Sequence, residues 1–206
     1  MRFMILSFAF LFSSGIFSQS DDISYEKALV NFEDYKNLML EVESVRANRL
    51  ISLDQFNSFA EKENTIILDT RSFEKYTEKH VKGAINLPFT EFTQDNLERL
   101  IPDKNTRILI YCNNNFDGDQ IAFTSKMVVF PSKEGKDTRL MLALNIPTYI
   151  NLYGYGYKNI YELDELVNVY DDRISFEGTS SKPRYIIKGE AFSQQVIKHP
   201  SLNQKN

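Results

Sequence analysis

The chain has 206 residues, a formal charge of −4, one cysteine, two histidines and no tryptophan, with 42% hydrophobic and 25% charged residues. These are the size and proportions of one globular domain with appendages, and the mild acidity argues against a nucleic-acid partner, which requires a basic face. A single cysteine excludes an internal disulfide, and with only His80 and His199 beside it neither a structural zinc site nor a multi-histidine metal centre is expected.

Residues 1–12 hold one basic side chain followed by an apolar run, and small residues lead on to Ser18-Gln19. This is the layout of a secretory signal peptide over residues 1–18, with cleavage expected before Gln19. The run is about half the roughly 20 residues of a spanning helix. No cysteine follows it for lipid attachment, and no second long apolar stretch exists. A periplasmic or secreted protein with no membrane span is therefore expected.

Tyr25, Leu29, Phe32, Tyr35, Met39, Val42 and Val45 recur at helical spacing, which predicts a packing helix over 25–47 within an extension at 19–48. Leu50-Ile51 reads as a short strand, and Ser52 as the cap of a helix through Phe56, Phe59 and Ala60. Thr65–Leu68 is a continuous apolar run ending at Asp69, the pattern of a strand buried on both faces. A short helix follows over 73–80, then a strand over Ala84–Leu87 and a small helix closing at 97–101. Arg107–Tyr111 is another buried strand and stops at Cys112.

From Asn113 to Asn145 periodicity fails, and Pro131–Asp137 reads as a surface excursion. Pro147 restarts a helix through Leu152, and Lys158–Leu163 is a last core strand. Tyr149, Tyr153, Tyr155, Tyr157 and Tyr161 read as packing along that helix and strand rather than as a ligand groove. Residues 171–206 form a tail, with a strand candidate at 185–187 and a loose end over 189–206. Strands alternating with short helices predict an α/β fold with a central, mainly parallel sheet flanked by helices.

An apolar strand ending in cysteine places a sulfur at the carboxyl edge of the sheet, where ligands of open α/β sheets bind. Asp69-Thr70-Arg71, then His80-x-x-Gly83-Ala84-x-Asn86-x-Pro88, then the strand-end Cys112 and the segment Gly156–Leu163 come in an order that resembles the rhodanese-like domain, over about residues 50–165. The resemblance implies a rhodanese-like domain at 49–170, with an insertion at about 116–145. It implies that Cys112 accepts a sulfane sulfur as a persulfide and passes it to a thiophilic acceptor, with no cofactor and no metal. It also assigns Asn113–Asp117 to an anion-cradling loop, with Gly118 after it, and Asp69 and Arg71 to its support. His80 falls in the second signature and is read as a hydrogen-bonded turn residue.

The loop departs from the family. Its sulfurtransferase pattern, Cys-x-x-Gly-x-Arg, is here Cys112-Asn-Asn-Asn115-Phe-Asp117. Asn115 tolerates the left-handed backbone that glycine supplies, whereas a carboxylate at 117 would repel an anionic donor and raise the thiol pKa. The phosphatase pattern fails because its arginine position holds Gly118. A calcium loop fails because Thr124 stands where a bidentate Glu is needed, and a dithiol redox pair fails because Asn115 replaces the second cysteine. Lys126 and Arg139 in the insertion are candidate lid cations that would return the missing positive charge. Two functions remain: an exported sulfurtransferase or persulfide carrier using Cys112, whose partner is a small sulfur donor or a protein thiol acceptor, or a non-catalytic rhodanese-like binding or structural module.

Overall fold

Burial on both faces turns the apolar runs into the middle of a parallel sheet. The computed structural model describes residues 24–133 and 135–181; the expected signal segment, the strand at 185–187 and the loose end at 189–206 lie outside them. Five parallel strands form the sheet: β1 (Leu50–Ile51), β2 (Thr65–Asp69), β4 (Ala84–Asn86), β5 (Arg107–Tyr111) and β9 (Ile160–Leu163). They lie in the order β1-β9-β5-β2-β4, with β5 central.

Side chains alternate across a strand, so β5 divides its residues between two cores. Leu109 and Tyr111 join Ile67, Leu53 and Phe56 on one face, the last two from α2 (Leu53–Ala60). Ile108 and Ile110 join Leu68, Ile160 and residues of three helices on the other. These helices are α1 (Phe32–Ala47), α4 (Gln94–Leu100) and α5 (Asn145–Gly154). Cys112, next in the alternation after Ile108 and Ile110, falls on the α5 side.

Local signals set several boundaries. Ser52 caps α2 in a reciprocal capping box with Gln55. The expected helix over 73–80 is α3 (Phe73–Glu78), because His80 leaves it for β3 (His80–Val81). The helix expected from residue 25 starts at Phe32, and Tyr25 and Leu29 are exposed outside it. Its apolar contacts also differ from the expected stripe. Leu38, Val42 and Val45 pack on the core, while Phe32, Tyr35 and Met39 stay exposed.

The stretch after Cys112 is more ordered than its lack of periodicity suggested. A 3-10 turn over Asn113–Asn115 leads into β6 (Phe116–Asp117), which pairs with β10 (Val167–Asn168). A hairpin of β7 (Met127–Phe130) and β8 (Thr138–Met141) follows. Residues 171–181, expected in the tail, turn back so that β11 (Phe176–Glu177) pairs antiparallel with β3, and Ile174 is buried. Among the described residues no helix is long and apolar enough to cross a membrane.

Candidate active site

Cys112 follows the last residue of β5 and starts the turn over 113–115. Its sulfur accepts the backbone N–H of Asn114 at 3.3 Å. The backbone N–H groups of Leu144 and Asn145 also point at the sulfur and favour its thiolate. These two begin α5, whose N-cap position, Leu144, has no side-chain cap. The sulfur therefore stands where a capping side chain would, at the positive end of a helix dipole. Burial works the other way and is the larger effect: the thiol is 2% exposed and its pKa is raised, with the Glu162 carboxylate adding to the rise.

The cradle is thus assembled from two separate segments. The N–H of Asn114 supplies one side; the other comes from Leu144 and Asn145 at the start of α5, after a 28-residue excursion over 116–143. The loop expected at 113–117 is shorter, because Phe116 and Asp117 already belong to β6. Asp117 accepts from the N–H of Gly118 at 2.8 Å, and it is not among the charges acting on the sulfur. Strand pairing with β10 sets Asp117 in β6, and it does not line the cleft over the sulfur. Gly118 sits beyond the loop, at φ +93° against Val169.

Asn115 departs from its expected role as well. Asn64 is the only non-glycine residue with positive φ among the described residues, so Asn115 does not imitate glycine through its backbone. Its side chain acts instead. Its carbonyl accepts the Cys112 N–H at 2.9 Å, and its amide donates to the carbonyls of Leu163 (2.6 Å) and Glu165 (3.3 Å). These bonds lock the turn to the end of β9.

Asp69 and Arg71 form a buried pair beside the turn and meet it at Asn113. Asp69 is fully buried and holds Arg71 through two bonds from Nε (3.0 and 3.1 Å) and one from Nη2 (2.6 Å), and it takes the Tyr111 hydroxyl at 2.6 Å. Arg71 then reaches Asn113 Oδ1 (3.4 Å), the Ala122 carbonyl (3.1 Å) and the Lys79 carbonyl (2.6 Å). Burial beside Asp69 pushes the Tyr111 hydroxyl well above its ordinary pKa. His80 stacks on Tyr76 and bonds its carbonyl at 2.7 Å, a structural role in β3.

A cleft of about 450 Å³ opens over the sulfur, lined by Arg71, Lys75, Cys112, Asn113, Lys126 and Leu144 together with Thr70, Ser72, Thr90 and Thr124. Lys126 therefore stands where a returning cation was expected. Its backbone is pinned there by reciprocal bonds with the Asn114 amide, Lys126 N–H to Oδ1 at 2.8 Å and Nδ2 to the Lys126 carbonyl at 3.2 Å. Arg139 is exposed on β8 and does not line the cleft, so it is not a lid cation. Lys75 escaped the sequence reading because it looks like any solvated helix lysine. Asn145 and Glu162 escaped it because nothing local to either residue points to Cys112.

The family model described as the rhodanese-like domain matches residues 52–165. Thiosulfate sulfurtransferase PspE of Escherichia coli (strain K12) is 41% identical over 46 residues, 22% of this chain and 43% of that protein, so the match spans less than half of the relative's length. Two solved structures are also similar. The BH2092 protein of Bacillus halodurans is 20% identical, covering 72% of this chain and 86% of that one with a TM-score of 0.41. A rhodanese with anions from E. coli is 21% identical, covering 55% and 98%, with a TM-score of 0.33.

Proposed function

This chain belongs to the rhodanese-like domain family, and from that premise we propose that it is an exported sulfurtransferase or persulfide carrier that works through Cys112. The observation that carries the reading is the sulfur's position: at the end of the central strand, under three backbone N–H groups, and open to a cleft lined by Lys75 and Lys126. Backbone donors and the helix dipole favour a thiolate against the opposing effect of burial. Lys126 at the cleft suits an anionic sulfane-sulfur donor, whereas the Lys75 ammonium is already held by Glu78 at 2.6 Å and by the Ile121 carbonyl at 2.8 Å.

With a thiosulfate-type donor the chemistry balances in two steps. The thiolate attacks the outer sulfur; the S–S bond of the donor breaks, and sulfite leaves with the electron pair. Cys112 then carries a persulfide anion. An acceptor nucleophile attacks the terminal sulfur of that persulfide, and the thiolate is restored. The N–H groups of Asn114, Leu144 and Asn145 stay aimed at the sulfur end of the cleft throughout, which is electrostatic stabilisation by groups already in place.

The test compares thiosulfate-to-cyanide transfer by wild type and Cys112→Ser, with mass spectrometry for an adduct heavier by one sulfur atom. Transfer and adduct in wild type alone support the reading; equal rates in the two proteins end it. The non-catalytic binding module is favoured by a different observation, the 2% exposure of Cys112 and its raised pKa. A thiol that resists iodoacetamide at neutral pH in the folded protein would select it. Export rests on residues 1–18, and a mature protein beginning at Gln19 in the periplasmic or culture fraction is the expected result.

A further inference from the structure

Glu162 is a buried acid on the same sheet face as Cys112, and two elements partner it. From α1, Arg46 donates Nε to Oε2 at 2.6 Å and Nη2 to Oε1 at 2.7 Å. From α5, the amide of Asn145 donates to Oε1 at 2.9 Å. The same amide donates to Asn115 Oδ1 at 3.1 Å, the oxygen that accepts the Cys112 N–H. Asn145 Oδ1 is buried with no partner. That asymmetry fixes which way the amide faces, since a flip would set its oxygen against a carboxylate. The backbone N–H of Asn145 is at the same time one of the donors aimed at the sulfur. A continuous chain of polar contacts therefore runs from the N-terminal helix to the thiol.

We infer that Arg46 is a positioning residue for Cys112: by holding and neutralising Glu162 it sets the start of α5, and with it the N–H donors over the sulfur. The inference rests on the reading of Cys112 as the working thiol and gives α1 a part in that site. The geometry requires a cation here. Without Arg46 a buried carboxylate would face the sulfur uncompensated, and Asn145 would be its one remaining strong donor. Besides Arg46 and Cys112, Glu162 acts on the Tyr149 hydroxyl of α5; Asp164, just after β9, acts on Arg46, and Arg49 and Tyr153 act on Tyr149. None of them replaces the two-bond contact from Arg46. α1 is seated closely enough to fix that contact, since a Cβ on Gly154 of α5 would fall 2.9 Å from Leu38 of α1.

The chain has one cysteine, so cysteine labelled with 13C at Cβ gives one resonance whose pH titration reports the thiol directly, with or without sulfur transfer. Arg46→Gln is expected to move the midpoint up by about one pH unit, and Glu162→Gln, which keeps the acceptor for Asn145, to move it down. The double variant is expected to return close to wild type, a rescue that simple loss of packing would not produce. If Arg46→Gln fails to fold by circular dichroism, Glu162→Gln decides alone. Midpoints unchanged from wild type in the folded variants overturn the inference. Shifted midpoints in the variants, together with no persulfide on wild type incubated with thiosulfate, overturn the sulfur-transfer reading instead.

Discussion

Two buried ion pairs flank the Cys112 turn from opposite faces of the sheet, and they differ in how the chain builds them. Asp69–Arg71 is local, two residues apart at the end of β2, and both partners are almost fully buried. It holds the turn through Asn113 and ties it to Ala122 and Lys79. Arg46–Glu162 joins residues 116 positions apart, and the arginine is one quarter exposed. It reaches the turn through Asn145 and Asn115. The first pair braces the loop against the α2 face; the second places the N–H groups that favour the thiolate. A sulfur site can thus be rigid on one side and electrostatically adjusted on the other.

The comparison breaks most visibly at Arg71. Arg71→Ala leaves the Asp69 carboxylate buried and uncompensated, which costs about 3–5 kcal/mol. Urea unfolding is expected to show that loss, or the protein will fail to fold. Arg46→Ala should be milder, about 2–3 kcal/mol, because water can enter where the arginine was partly exposed and Asn145 still donates to Glu162. A loss at position 46 equal to that at 71 would mean that the two pairs are equally structural.

Lys126→Ala sharpens the chemistry rather than the fold. Its side chain faces the cleft from a backbone pinned to Asn114, so stability should hold. Transfer from an anionic donor is expected to fall by roughly threefold to tenfold in kcat/KM, while Arg139→Ala leaves it unchanged. Equal effects of the two substitutions would remove the distinction between a cleft cation and a hairpin surface cation.

A further effect is alkaline. Burial, with Glu162 contributing, pushes the Tyr149 hydroxyl from 10.0 up to about 12. Between those values the unfolded chain binds fewer protons than the native one, so stability falls as pH rises through that window. The total is roughly 3 kcal/mol at most. Tyr149→Phe should flatten this decline, and urea midpoints measured against pH would reveal whether it does.

The sheet was readable because continuous apolar runs ending at Asp69 and Cys112 have few other uses in a chain of this size. Ser52 declared its helix for an equally local reason, a side chain bonding a backbone three residues on. The Asp69–Arg71 pair could be found because its partners are sequence neighbours. The hairpin β7–β8 could not, since its strands are exposed and carry no alternation toward a core. Asp117 was misjudged because spacing alone put it in the loop, whereas pairing with β10, fifty residues later, pulls it out.

By itself the sequence determined the parallel α/β frame and a lone sulfur at the carboxyl edge of its central strand, because burial patterns and strand ends are local properties of the chain. Which groups surround that sulfur was decided only by the tertiary structure. Leu144 and Asn145 return to it after a 28-residue excursion, and Arg46 reaches its network from a helix that precedes the sheet. Long-range polar contacts depend on where distant segments dock, and no spacing in the chain records that.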